Sequence, residues 1–192
     1  MNRVLLTGMI VMLTIISCSD KKTNTAEALP EPQVKTAVQV DPVAQKLEAL
    51  KLAQPTDMGE LQNMMPEEMA GIKRNKLSMN SNLGYGIVRA DYEKNSKTQV
   101  HLVMYDCTGE EGANLYKSSY LSYLNKPDAN TEGYIKTIDF LGGKVIEQHE
   151  SANKVTTLSF MTKDKILIVL SGKGLTPEEL KAAAQTLQLK AS

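Results

Sequence analysis

Histidine is the side chain best matched to proton transfer near neutral pH, and this chain has two, His101 and His149. Any imidazole-bearing metal site, or any Ser-His-Asp arrangement, must use one of them. His149 stands between Glu147 and Glu150 near an expected strand end. Alternation puts Glu147 and His149 on one face, so two metal ligands would converge there if a neighbouring strand supplied a third. The competing expectation is a solvated polar face. His101 shares its strand face with Val103, Tyr105 and Cys107. Six residues of strand run ~20 Å, which keeps this imidazole and thiol apart, and Cys107 reads as a small buried filler.

Other residue patterns carry chemistry by letter and lose it by context. Ser151-Ala152-Asn153-Lys154 has the S-x-x-K spacing in which a lysine activates a serine, but it falls in an expected hairpin loop rather than at a helix start. Ser171-Gly172-Lys173-Gly174-Leu175-Thr176 joins a strand to a helix, where a phosphate would meet the helix dipole. The phosphate-loop spacing fails, however, and Thr176 is committed to capping. Met58, Met64, Met65, Met69 and Met79 cluster closely enough to suggest thioether ligation of Cu(I), against the expectation that they fill irregular packing. Tyr116, Tyr120 and Tyr123 fall at i, i+4 and i+7 as an aromatic stripe, either a ligand groove or helix packing. No catalytic, cofactor-binding or metal-ligating residue is assigned from these patterns.

The elements that would position these groups follow from periodicity and punctuation. Asp41-Pro42 reads as an N-cap and first helical residue, with Val43, Leu47 and Leu50 on one face and an end near Gln54-Pro55. Leu61 to Met69 is expected to hold another helical turn or two, with Pro66 at a start and Gly71 at an end. Tyr85–Glu93 and Thr98–Cys107 form a hairpin, and Gly112–Leu124 reads helical. A meander follows through Tyr134–Leu141, a Gly142-Gly143 turn, Lys144–Glu150, Lys154–Thr162 and Lys165–Ser171. Thr176-Pro177-Glu178-Glu179 is a full capping box, and Leu180, Ala183, Ala184 and Leu187 then line one helix face. The expected fold class is α+β: a mostly antiparallel sheet of about six strands packed by two or three helices, an α/β sandwich. The element order loosely resembles small extracytoplasmic domains of the PsbP-like or Mog1-like kind over Met64 to Leu189. That resemblance concerns topology and implies no site residue and no activity.

The N-terminal residues address compartment rather than chemistry. Arg3 precedes the largely apolar run Val4–Ile16, the n- and h-regions of a secretory signal. As a helix this run would reach only ~20 Å, short of the ~30 Å a spanning segment must cross. Ile15-Ile16-Ser17-Cys18 resembles the lipobox of bacterial lipoproteins. The resemblance implies cleavage after residue 17, a diacylglyceryl thioether on Cys18 and further acylation such as palmitate. Each buried methylene contributes ~0.8 kcal/mol, so two or more chains would anchor the protein to a membrane. Ser19 in place of Asp after that cysteine resembles an outer-membrane sorting signal, facing the periplasm or the cell surface. The expected organisation is a signal peptide over 1–17, a lipidated and flexible tether over 18–40 spanning ~25 Å, and a folded α+β domain over 41–192.

Composition narrows the partners. The 192 residues are 42% hydrophobic and 23% charged, and 22 Lys+Arg balance 22 Asp+Glu. A neutral chain with no basic patch gives nucleic acid nothing to bind. The sequence-based expectation is a membrane-anchored envelope lipoprotein, a non-enzymatic binding or accessory module for an envelope protein or small ligand. The rivals are an envelope enzyme with a site near His149 and Cu(I) binding through Met58 to Met79.

Overall fold

Strands from Glu68 onward build one antiparallel sheet, which the computed structural model describes within residues 41–187. The signal-like run, the Ile15-Ile16-Ser17-Cys18 motif, the 18–40 stretch and residues 188–192 lie outside the described residues. Helices α1 (Pro42–Leu52) and α2 (Met58–Asn63) come first, followed by β1 (Glu68–Met69), β2 (Ile72–Asn80), β3 (Ile87–Asn95) and β4 (Thr98–Asp106). Helix α3 (Gly109–Tyr116) runs into a π-helical turn, Lys117–Leu121. Strands β5 (Asp128–Asn130), β6 (Gly133–Phe140), β7 (Gly143–Glu150), β8 (Val155–Thr162) and β9 (Ile166–Lys173) then lead to α4 (Pro177–Gln185).

The strand order is β1-β2-β3-β4-β9-β8-β7-β6-β5, antiparallel throughout. β9 joins the halves, which explains its continuous apolar run: Ile166, Ile168 and Leu170 face one layer of helices and Leu167 and Val169 the other. On the first face α2 and α4 cover Val88, Leu102, Met104, Leu158, Ile168 and Leu170. On the second, α1 and α3 cover the end that holds Leu167 and Ile146, with Leu50, Ala113, Tyr116 and Tyr120.

The expectation of about six strands packed by two or three helices is overturned, because the described residues form nine strands and four helices and the sheet dominates. β2 reads Ile-Lys-Arg-Asn-Lys-Leu-Ser-Met-Asn. As a sheet-margin strand it buries little, so cations and amides hide the period of two. β1 and β5 are too short for any period to register. The helix expected from Pro66 is absent: Asp57 caps α2 earlier, through Gly59 N at 2.8 Å and Glu60 N at 3.2 Å, and Glu68–Met69 is strand. The tight turn after β6 is Leu141-Gly142, both with φ above 50°, and Gly143 already pairs with Phe140.

α4 follows its capping signal. The Thr176 hydroxyl accepts from Glu179 N at 3.2 Å, the Glu179 carboxylate accepts from Thr176 N at 2.8 Å, and Leu180, Ala183, Ala184 and Leu187 are buried. Such a cap contributes about 1 kcal/mol.

Candidate functional site

Two polar clusters stand out, one on each face of the sheet. The first is centred on Glu147 in the middle of β7, whose side chain is 0% exposed. Tyr134 and Lys136 alternate onto the same face of β6, and α4 lays Lys181 above them. The Tyr134 hydroxyl donates to Glu147 Oε1 at 2.6 Å, and Lys136 Nζ approaches the same oxygen at 2.9 Å. Oε2 accepts no hydrogen bond and is balanced by Lys181 Nζ at 3.3 Å. Burial pushes this carboxyl pKa up, but the hydroxyl and the two ammonium groups outweigh it and hold it below the ordinary 4.5. Tyr134 is driven the opposite way, upward, by its own burial and by the anion it serves. Lys136 also lies 4.7 Å from the centre of the Tyr134 ring. The cluster ties α4 to β6 and β7 through a charge that water cannot reach.

His149, two residues on, shares the Glu147 face as alternation requires. Its ring stacks on Tyr134 at 5.6 Å, and Nδ1 lies 3.0 Å from the Thr156 hydroxyl on β8. With Asp128, Glu132 and Glu150 it lines a shallow cleft of about 170 Å³ at the β5–β6 end of the sheet. Among the described residues no three His, Cys, Asp or Glu side chains are placed to hold a metal ion. The third ligand that a metal reading of His149 requires does not arrive.

The second cluster runs across the other face as one cross-strand row. Asp91, His101, Ser171, Thr157 and Gln148 are successive register partners on β3, β4, β9, β8 and β7. His101 Nδ1 lies 2.8 Å from Asp91 Oδ1, and the Thr157 and Ser171 hydroxyls are 2.9 Å apart. α1 and α3 cover the opposite end of this face, leaving Arg89, His101, Gln148 and Glu150 exposed. The row is a strip of hydroxyl, amide, imidazole and carboxylate groups open to solvent. Sequence reading placed His101 on a strand face but missed its neighbours, because register between β4 and β9 is a long-range property. Ser171, the first polar residue after the apolar run Ile166–Leu170, was the available signal.

The remaining candidates are absorbed by packing. Cys107 is fully buried, and burial pushes its thiol up to about 12, so it is no nucleophile. Met65 and Met69 sit in the core, Met58 and Met64 pack against it, and Met79 is exposed on β2. Tyr116 and Tyr120 stack at 5.6 Å beneath α1, with the Tyr120 hydroxyl donating to Lys144 O at 2.6 Å. Tyr123, beyond the π-helical turn, is exposed. The Ser151–Lys154 segment is the β7–β8 turn, with both side chains exposed. In the glycine-bearing loop, Gly174 has φ +69°, and a Cβ there would lie 2.1 Å from Lys97 O, so a tight chain crossing explains it. No family model, curated protein or solved structure matches the chain.

Proposed function

We propose that this chain is a lipid-anchored protein of the bacterial envelope whose folded domain is a binding or accessory module. The observation that carries this reading is Ile15-Ile16-Ser17-Cys18 directly after the apolar run Val4–Ile16, ahead of a polar stretch that reaches Asp41. A thioether-linked diacylglycerol on Cys18 would hold the polypeptide at a membrane, outer in preference to inner, with the domain within a few tens of ångströms of it.

The disposition of polar groups supports binding over catalysis. Glu147, the most buried carboxylate near His149, is occupied by Tyr134, Lys136 and Lys181, and His149 is itself engaged by Thr156 and Tyr134. The Asp91–Gln148 row offers mixed donors and acceptors on an open surface, suited to contacting a polar protein surface or a small polar ligand.

Cys18→Ala tests the anchor. The expected outcome is transfer of the protein from the membrane to the soluble fraction, with loss of incorporated labelled palmitate. Unchanged membrane retention after that substitution overturns the reading. For the domain, a photo-crosslinker at Gln148 of the membrane-bound protein is expected to trap a defined envelope component, and His101→Ala is expected to weaken that product.

A further inference from the structure

The two margins of the sheet are built differently. On one side β5 is three residues long, fully exposed and preceded by Pro127, with Asp128 at its start, the features that discourage strand addition. On the other side β1 pairs only with Ile72 and Lys73 of β2, and Glu67 O accepts from Arg74 N at 2.8 Å. The β2–β3 register then shifts between Arg74 and Lys76. Beyond that bulge, Lys76-Leu77-Ser78-Met79-Asn80 is held by β3 on its inner side, and among the described residues no strand lies outside it. Leu77 is half-buried, and Met79 and Leu83 are 51% and 55% exposed. Among the described residues this is a free edge, with apolar side chains and one charge.

We propose that this edge pairs with the same edge of a second copy of the chain, antiparallel, about a two-fold axis through Ser78. In an antiparallel ladder directly opposed residues share a face, and a two-fold axis perpendicular to the sheet keeps each face on its own side. The axis must therefore pass through a residue rather than between two. An axis through Lys76 sets two ammonium groups against each other. An axis through Leu77 opposes Met79 to Asn75, and one through Met79 opposes Leu77 to Ser81. Only the axis through Ser78 sets Leu77 against Met79 twice, places Lys76 opposite the neutral Asn80, and uses all of Lys76–Asn80. Of these registers, only the one through Ser78 both pairs the apolar residues with each other and keeps Lys76 away from its own copy. A pair of strands this short is marginal in dilute solution, so the association is weak there and strengthens where copies are crowded in two dimensions. The register rests on the edge itself; the strengthening by crowding rests on the proposed anchor, whose failure Cys18→Ala fractionation reads separately.

Disulfide trapping reads the register directly. Opposed residues in such a ladder have Cα atoms ~4.5–5.5 Å apart, within the ~4.4–6.8 Å span of a disulfide. The full-length Ser78→Cys variant, oxidised in intact cells, is expected to run as a homodimer on non-reducing gels. The unsubstituted chain, with Cys18 and Cys107, sets the background. Lys76→Cys alone is expected to stay at that background, because the two copies would lie ~13 Å apart along the ladder. Coexpressed Lys76→Cys and Asn80→Cys chains are expected to join. Adding Met79→Lys, at a position already exposed, is expected to remove most of the Ser78→Cys dimer. Ser78→Cys dimer no stronger than background, equal trapping through Lys76→Cys, or Ser78→Cys captured only by a different protein each overturns the proposal.

Discussion

Glu147 and Asp91 are both strand carboxylates lying within 3 Å of a basic side chain, and they do opposite work. Glu147 has no exposure, a hydroxyl and two ammonium partners, and one oxygen with no hydrogen bond. Asp91 and His101 are 40% and 49% exposed and, among the described residues, hold only each other. Solvent screens the second pair, leaving it a few tenths of a kcal/mol of stability and freedom to exchange partners. The first cannot relax toward water, so it fixes where α4 sits. A close contact between a carboxylate and a basic side chain is therefore a structural tie or a recognition surface according to what surrounds it.

The largest effect that separates the two sites should come from stranding the buried anion. Lys181→Met should cost about 2–3 kcal/mol, below the 3–5 typical of breaking a fully buried pair, because Lys136 and Tyr134 remain; urea midpoints measure it. Glu147→Gln should cost less, about 1 kcal/mol, since the lysines left behind are 47% and 25% exposed and can reach water. The double variant should fall well short of the sum, because the neutral amide no longer needs the cation. If Lys181→Met and Glu147→Gln cost the same, the clamp is no more than a surface pair.

Acid provides the next contrast. The Glu147 carboxyl titrates below its ordinary value of 4.5 in the folded chain, so its stabilising contribution is complete above the unfolded value and lost as pH falls through the folded one. Below pH ~4 the wild type should lose stability more steeply than Glu147→Gln, as followed by denaturation midpoints across pH. The smallest effect belongs to the open row: Asp91→Asn or His101→Ala should change stability by less than about 0.5 kcal/mol, fading in high salt. A loss of 2 kcal/mol from either would mean that the row is structural and unavailable for binding.

Much of the fold was legible, and the misses share a cause. Apart from β5, the strands from Thr98 onward were readable within a few residues, because interior strands carry apolar alternation and short polar or glycine-bearing turns separate them. α4 was readable because its cap and its buried stripe agree. β2 was missed because a margin strand buries too little to leave a period, and Pro66 misled because its neighbours were claimed by the sheet. In the Glu147 cluster only the shared face of Glu147 and His149 could be read, since Tyr134, Lys136 and Lys181 come from other elements.

By itself the sequence determined local geometry and address: which segments extend, where helices begin, and a lipobox-like Cys18 ahead of a polar stretch. These depend on residues a few positions apart, whose preferences act within one element. Tertiary structure decided the rest: that β9 joins two halves into one sheet, that Glu147 is sealed while Asp91 stays wet, and that His101 lines up with Ser171 and Thr157. Such facts depend on register between strands far apart in the chain, and burial, which sets the worth of a charge, exists only once those strands have met.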